Sequence, residues 1–253
     1  MRKINYILII FAILIISIFI FNLFVYINNQ KTLKKILEEY DVYSLNNNYE
    51  KVNKINEITY KIINKTFTHG GTSFVCRTPI KILNQGGNCG DHVHFELSML
   101  HILNIDSHPL GLCPSSENDD FSHVVVEANI NNKWLIFDPL YNMSPGKTSN
   151  ELNNPIARKE YLDQTKQTKM EYSEEWDFDD TARFRYGLFG PFKKIAQSIG
   201  NLLNKVGLDL HQPYFMLRCE LRYMILTGVF LGLILGIYVY VNIPLLKKSI
   251  NKK

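Results

Sequence analysis

Long apolar runs lie near both ends of the chain, and the stretch between them is largely polar. Residues 6–27 read YILIIFAILIISIFIFNLFVYI without a charge, and a second apolar run covers residues 223–246. Each run matches the roughly 20 residues that an α-helix needs to cross the core of a bilayer. The pattern predicts two transmembrane helices flanking one polar region, which is long enough to bury a core of its own.

A cleaved signal peptide is the competing interpretation of the first run, because Arg2 and Lys3 precede it. The run is longer than a usual signal-peptide core, and no small-residue cleavage site follows it. We therefore favour an uncleaved anchor.

The second run contains three glycines at a spacing of four residues, which places them on one helix face: Gly228, Gly232 and Gly236. Such a face lets another helix approach closely, either the first span or a second copy of the protein. Glycine is also simply common in membrane helices, so the sequence leaves both interpretations open.

Both short tails are basic, with Arg2 and Lys3 at one end and four lysines at the other. The positive-inside rule then predicts an integral membrane protein with both termini in the cytoplasm and the central domain outside it. Basic residues on the other side of each span, Lys31 and Arg222 among them, offset part of this bias.

Between the spans, the sequence predicts a helical lead-in at residues 31–74. Apolar residues recur there at helical spacing on both sides of the Asn46–Asn48 turn, which predicts two amphipathic helices. They are Leu33, Ile36, Leu37 and Tyr40, then Val52, Ile55, Ile58, Ile62 and Ile63. Residues 143–222, a C-terminal extension of the soluble domain, read as polar and turn-rich through Asp180.

Charge argues against nucleic acid as a partner. The chain has 28 Lys and Arg against 24 Asp and Glu, a net charge of +4 that is spread without a long basic block. A nucleic-acid-binding surface needs a concentrated basic patch.

Chemistry-bearing residues concentrate between residues 85 and 139. Cys89 follows the helix-breaking sequence Gly-Gly-Asn and precedes a run with helical spacing, so it is expected at a helix N-terminus. The helix dipole and unpaired amides there favour the thiolate over the thiol. Cys89 is therefore a candidate nucleophile.

A cysteine nucleophile needs a base, and the base needs an orienting group. Residues 124–130 and 134–137 read as strands, and Asn131-Asn132 is a two-residue turn signal, which predicts a β-hairpin. In that register Asp138 lies opposite Val125, so His123 and Asp138 are diagonal neighbours on one face. A three-residue loop would separate them.

These residues resemble the transglutaminase-like superfamily, whose bacterial members have a G-x-C-x-D motif at a helix start, then a histidine opening one strand and an Asp-Pro ending the next. The resemblance covers roughly residues 75–142. The matching residues are Gly87, Cys89, Asp91, His123, Glu127, Trp134, Asp138 and Pro139.

The resemblance implies an α+β fold, in which a papain-like core at residues 75–142 packs a Cys-bearing helix on an antiparallel sheet. It also implies Cys89 as nucleophile, His123 as general acid and base, and Asp138 as orienting carboxylate. Val125 and Gly90 depart from the family pattern, since aromatic residues are frequent at the first position and the eukaryotic cross-linking enzymes have tryptophan at the second.

The implied reaction is attack of the Cys89 thiolate on an amide or ester carbonyl, followed by release of the acyl group to water or an amine. The Cys89 amide is the expected oxyanion donor, and Gln85 is a second candidate that could equally serve the turn. Asp91 is expected to stabilise the first helical turn.

Other uses of the same residues carry less support. The cysteines and histidines lack the ligand spacing of a zinc site, so no metal or cofactor is expected. Outside the cytoplasm Cys76 and Cys113 could form a disulfide, and free buried thiols are the equal alternative. His92 is expected to be a helix-surface residue without a special role.

Two functional classes remain. The first is a membrane-tethered thiol enzyme, a hydrolase or acyltransferase acting on peptide or protein amides. The second is a catalytically idle binding or scaffolding module of the same fold. The complete set of Cys89, His123 and Asp138 favours the enzyme, because their roles require one another.

Overall fold

The computed structural model describes residues 2–65, 77–114, 123–167, 176–182 and 218–250, with short helical stretches at 194–195, 198–199 and 202–203. The chain divides into two compact units. One combines residues 1–29 with 218–253, and the other comprises residues 30–217.

The described residues form helices and one antiparallel sheet. In the described ranges the helices are α1 (Arg2–Glu39), α2 (Asn48–Ile62), α3 (Pro79–Gln85), α4 (Cys89–Ile102), α5 (Ser149–Leu152), α6 (Pro155–Gln167) and α7 (Cys219–Ile250), with a 3-10 turn at Val42–Ser44. The strands are β1 (Ser107–Pro114), β2 (His123–Ile130), β3 (Lys133–Phe137) and β4 (Trp176–Ala182). The predicted α+β class is confirmed.

The first unit contains two helical segments that are long and apolar enough to cross a membrane. Tyr6–Glu39 has a mean hydropathy of 3.1 over its most apolar part, and Glu220–Asn242 has one of 2.3. Most of their large apolar side chains are exposed. The chain therefore has two apolar helices near its termini, as the sequence pattern predicts.

A buried polar cluster joins α1 to the start of α7. The Asn29 amide donates to Glu220 Oε1 at 3.0 Å, and Arg218 Nε donates to the same oxygen at 2.8 Å. The Arg218 guanidinium also lies over the Tyr26 ring at 5.5 Å. This cluster pairs the two helices within the first unit.

The three glycines of α7 face open space. A Cβ added at Gly228, Gly232 or Gly236 would meet nothing within 4 Å among the described residues. Helix packing through this face therefore stays a prediction.

In the second unit, the lead-in has the two helices that the sequence predicts, but the first of them is not separate from the apolar run. The first predicted helix, Leu33 to Tyr40, is the continuation of α1, because no helix-breaking residue separates it from the apolar run. The second is α2, whose N-cap Asn47 accepts a hydrogen bond from the Glu50 amide. Both contribute buried side chains to one core.

The sheet is antiparallel with the order β3-β2-β1-β4. The β2–β3 hairpin has the predicted register, with Ile130 opposite Lys133 and Val126 opposite Phe137. Asn131 and Asn132 have φ values of 53° and 63°, the left-handed conformation that a two-residue turn of this kind requires. The predicted hairpin is confirmed.

Two strands do not appear in the sequence prediction. The strand β1 contains Pro109 and Gly111, which disfavour strands, yet it lies between β2 and β4. The strand β4 is highly acidic and falls in the stretch read as polar and turn-rich, where α6 also forms. Pairing with neighbours already in place overrides these local preferences.

The sheet buries a core on each face. One core contains Val126, Ala128 and Phe137 with side chains of α1, α2 and α4. The other contains Val125 and Ile136 with Tyr161 of α6 and Phe178 of β4. Cys89 packs against this second core, which places the start of α4 next to the side chains that β2 directs to that face.

Candidate active site

The start of α4 is fixed by reciprocal hydrogen bonds. The Asn88 side chain accepts from the Asp91 amide at 3.2 Å, and the Asp91 carboxylate accepts from the Asn88 amide at 3.2 Å. This capping box makes Cys89 the first residue of the helix, as predicted, and gives Asp91 its predicted stabilising role. Cys89 as a whole is partly exposed.

Gly87 of the motif is required by close packing. A Cβ at this position would lie 2.3 Å from Asp91 Cβ, which no side chain allows. The Arg77 guanidinium pairs with the Asp91 carboxylate and donates to the Gly86 carbonyl. The spacing Gly-x-Cys-x-Asp therefore builds a rigid helix start under the thiol.

The hairpin brings His123 and Asp138 together. His123 opens β2, Asp138 directly follows β3, and His123 Nε2 lies 2.7 Å from Asp138 Oδ2. Both side chains are almost completely excluded from solvent. Cys89 also hydrogen-bonds His123, and since Nε2 faces Asp138, Nδ1 is the ring nitrogen that remains for the thiol.

Asp138 is held by further donors. The Leu140 amide donates to Oδ1 at 3.0 Å, and the Tyr161 hydroxyl donates to Oδ2 at 3.1 Å. The Tyr141 ring lies against the His123 imidazole in an edge-on arrangement, with ring centroids 5.7 Å apart. The imidazole is therefore confined by a carboxylate on one side and an aromatic ring on another.

The electrostatics of the site favour a thiolate paired with an imidazolium. Burial raises the pKa of the Cys89 thiol, but the hydrogen bond and charge of His123, together with the Val124 amide, lower it further than burial raises it. Burial lowers the pKa of His123, but the charge and hydrogen bond of Asp138 outweigh this and raise it to about 9. Both shifts favour the thiolate–imidazolium pair, which is the form needed for nucleophilic attack.

Gln85 lies at a different kind of position from the other site candidates. It is the last residue of α3 and is exposed, four residues before Cys89. Its role as an oxyanion donor stays a prediction. The Cys89 amide has no intrahelical partner, because the first N–H groups of a helix never do.

His92 is not the surface residue that the sequence suggests. Its side chain is fully buried, and Nδ1 lies 2.9 Å from the Asn88 carbonyl oxygen. The prediction was wrong because α2 covers this side of α4, which spacing along α4 alone does not reveal.

Glu127 and Trp134, which match the family pattern, lie together away from the triad. Glu127 contacts His108 Nε2 at 2.7 Å and accepts from the Ser149 hydroxyl at 3.2 Å. The Trp134 ring lies 4.4 Å from the His108 ring. These residues hold β1, β2, β3 and α5 together.

Across the ranges that the structure describes, no group of three His, Cys, Asp or Glu side chains is placed to hold a metal ion. Cys76 and the side chain of Cys113 lie outside the described residues, so the disulfide between them stays a prediction.

Two residues of the site were missed from the sequence. Tyr161 lies in α6, 23 positions after Asp138, and no local motif marks it. Tyr141 directly follows the Asp-Pro-Leu sequence, and its closeness to the motif was the signal available.

The sequence and the fold were compared with those of known proteins. The family model of the Transglutaminase-like domain matches residues 19–169, more than half of the chain. No curated protein matches the chain at a significant level.

Two solved structures are similar over less than half of this chain. One is from Cytophaga hutchinsonii and is proposed to be a cysteine protease. It is 24% identical to this chain with a TM-score of 0.37, and the similar region covers 46% of this chain and 39% of the other. The other is from Parabacteroides distasonis and is proposed to be a protease. It is 19% identical to this chain with a TM-score of 0.33, and the similar region covers 44% of this chain and 26% of the other. Because the family model matches more than half of the chain, the chain belongs to the transglutaminase-like domain family.

Proposed function

We propose that the chain is a membrane-tethered thiol enzyme that cleaves or transfers acyl groups of peptide or protein amides through a thioester on Cys89. The observation that carries this proposal is the buried contact between His123 Nε2 and Asp138 Oδ2 beside a cysteine at a helix N-terminus. Family membership supports the same chemistry.

The first half of the reaction follows from the positions of the groups. The Cys89 thiolate attacks the amide carbonyl carbon, a carbon–sulfur bond forms, and the carbonyl electron pair moves to oxygen. The Cys89 amide, which has no intrahelical partner, is the expected donor to that developing oxyanion. As the oxyanion collapses, the carbon–nitrogen bond breaks and His123 Nδ1 gives its proton to the leaving amine.

The second half regenerates the Cys89 thiolate and the protonated His123. Neutral His123 takes a proton from water or from an acceptor amine, which attacks the thioester carbonyl and expels the Cys89 thiolate. Asp138 keeps the imidazole in one orientation and stabilises its positive charge throughout. Water as acceptor makes the protein a hydrolase, and an amine makes it an acyltransferase.

The test is the pH dependence of Cys89 alkylation by iodoacetamide in detergent-purified protein with Cys76→Ser, Cys113→Ser and Cys219→Ser. The depressed thiol pKa and the raised imidazole pKa together predict rapid alkylation near pH 6 that persists to higher pH. With His123→Ala the rate should be slow and rise only above about pH 8, as for an ordinary thiol.

His101→Ala is the matched control, because His101 is exposed in the last turn of the same helix. Its alkylation profile should equal that of the parent protein. Slow alkylation of the parent that is indifferent to His123 would instead favour the idle binding module. A labelled primary amine offered with a glutamine-containing protein then distinguishes transfer from hydrolysis.

A further inference from the structure

A polar cluster is buried between α2 and α4, behind the catalytic triad. It consists of Asn56 and Thr59 from α2 and His92 and Glu96 from α4, and all four side chains are fully excluded from solvent. Polar groups buried this deeply are destabilising unless they have hydrogen-bond partners. The cluster therefore needs an explanation beyond packing.

Asn56 links this cluster to Asp138. In the amide orientation that satisfies both of its polar atoms, Nδ2 donates to Glu96 Oε2 at 3.2 Å and to the Asp138 carbonyl oxygen at 3.2 Å. Its Oδ1 accepts from the Met143 amide at 3.3 Å. One side chain thus ties α4 to both ends of the loop from Asp138 to Met143.

This loop determines the direction of the Asp138 carboxylate. The Asp138 amide donates to the Met143 carbonyl at 2.7 Å, and the Met143 amide donates back to the Asp138 carbonyl at 3.0 Å. The loop is closed on itself, so its orientation toward His123 depends on what holds it from outside. Among the described residues, Asn56 contacts both of its ends.

Glu96 occupies a site that suits a neutral carboxylic acid. Its Oε1 has no hydrogen-bond partner among the described residues. Burial, and then the charge of Asp138, raise the pKa of Glu96 well above its ordinary value. A neutral Glu96 accepts from Asn56 without placing a second negative charge beside Asp138.

His92 is consistent with this protonation state. Its Nδ1 faces a carbonyl oxygen and must carry the ring hydrogen, which leaves Nε2 as a bare acceptor with no partner in the described part of the chain. Glu96 is four residues later, on the same face of α4. A neutral Glu96 carboxyl has a hydrogen to donate among acceptors of this kind, whereas a Glu96 carboxylate would add another acceptor.

We propose that Glu96 and Asn56 are positioning residues of the triad: Glu96 orients Asn56, and Asn56 holds the loop that aims Asp138 at His123. The proposal rests on the proposed function, since it assigns roles around the same site. It also means that α4 controls both ends of the triad, with Cys89 at its first residue and Glu96 two turns later.

The test compares Glu96→Leu, Glu96→Asp, Glu96→Gln and Asn56→Leu by the pH profile of Cys89 alkylation, with Tm recorded for each variant. The Leu variants, and Glu96→Asp whose carboxyl is one methylene too short, should lower alkylation at pH 6 by about tenfold, equivalent to one unit in the thiol pKa. Glu96→Gln should restore the parent profile, because an amide reproduces the neutral acid.

Thr59→Val is the matched control, since it removes a buried polar group from the same interface one turn from Asn56. Its pH profile should not move. An unchanged profile in folded Glu96→Leu, or in Glu96→Asp if the Leu variants do not fold, overturns the proposal. A Glu96→Gln variant as impaired as Glu96→Leu overturns it too.

A second readout separates this proposal from the proposed function. Asp138 raises the imidazole pKa of His123 to about 9. An NMR titration of this imidazole should therefore give a lower pKa in Glu96→Leu than in the parent protein. This measurement does not need a reactive thiol. Loss of the shift with Glu96→Leu supports the positioning role even where Cys89 proves unreactive, and an unmoved His123 pKa contradicts it.

Discussion

Three donors surround the Asp138 carboxylate, and they divide its two oxygens unequally. The Leu140 amide fixes Oδ1, whereas His123 and the Tyr161 hydroxyl share Oδ2. All three donors reach a carboxyl group that is fully buried. Its position relative to the imidazole depends on a tyrosine from a helix far along the chain.

Removing that hydroxyl should cost stability without disturbing packing. In Tyr161→Phe the ring keeps its edge-on contact with Phe178, whose centroid is 5.7 Å away. The loss of a hydrogen bond to a charged, buried acceptor should lower the free energy of unfolding by about 1.5–3 kcal/mol. Urea denaturation followed by tryptophan fluorescence measures the change.

Tyr43→Phe serves as its control, because Tyr43 is exposed in the 3-10 turn. The control should change the unfolding free energy by no more than about 0.5 kcal/mol. Equal effects of the two substitutions would contradict the role of the Tyr161 hydroxyl.

At the residue level, the sequence predicts the site residues that belong to a local motif. Cys89, His123 and Asp138 are placed by local signals: a capped helix start and a two-residue turn. Tyr161 and Asn56 could not be found in this way, because their contacts with the Asp138 loop span many residues and their own surroundings along the chain are unremarkable polar helices.

Among the elements, the N-terminus of α4 is the one whose geometry matters most for the proposed reactivity of Cys89. Gly87 and Gly90 flank Cys89, and they differ in the room that is available for a side chain. A Cβ at Gly87 would collide with Asp91, whereas a Cβ at Gly90 would have its nearest neighbour at 3.5 Å, an ordinary contact. The pair is therefore a matched test of the motif.

Gly87→Ala should destabilise the second unit by about 1–3 kcal/mol, the usual effect of overpacking a tight site. It should also slow Cys89 alkylation at pH 6, because the capping box beneath the thiol is displaced. Gly90→Ala should instead raise stability by up to about 1 kcal/mol, since alanine is the better helix former. Thermal unfolding followed by circular dichroism measures both, and a harmless Gly87→Ala would contradict the packing argument.

The predicted and unpredicted elements differ in where their stabilising contacts come from. The hairpin and α4 carry their own turn and cap residues, so the sequence predicts them. The strand β1 is defined by partners on both sides rather than by its own composition, and β4 pairs with a strand that precedes it by more than sixty residues. Such long-range pairing leaves no periodic signature in a short polar segment.

For the whole molecule, the proposed arrangement in the membrane follows from two apolar helices and basic tails. In a background with all four cysteines replaced by serine, Asn46→Cys should react with a membrane-impermeant maleimide in intact cells. Lys252→Cys should react only after the membrane is permeabilised. The reverse labelling pattern would place the second unit in the cytoplasm.

Alkaline extraction of membranes provides the accompanying control. A protein anchored by two spans should stay in the membrane pellet under these conditions, whereas release into the supernatant would contradict spanning by either helix. The result does not depend on the orientation of the termini.

The two-residue turn at Asn131 and Asn132 also constrains how this protein can vary in length. Neighbouring side chains of a strand point to opposite faces, so inserting or deleting one residue in this turn moves every later residue of β3 to the other face. Asp138 would then turn away from His123, and Ile136 and Phe137 would exchange between the two cores of the sheet. We therefore expect active homologues to keep an even number of residues in this turn, with residues such as Gly, Asn or Asp that accept a positive φ. An odd change in the length of this loop would indicate an idle copy.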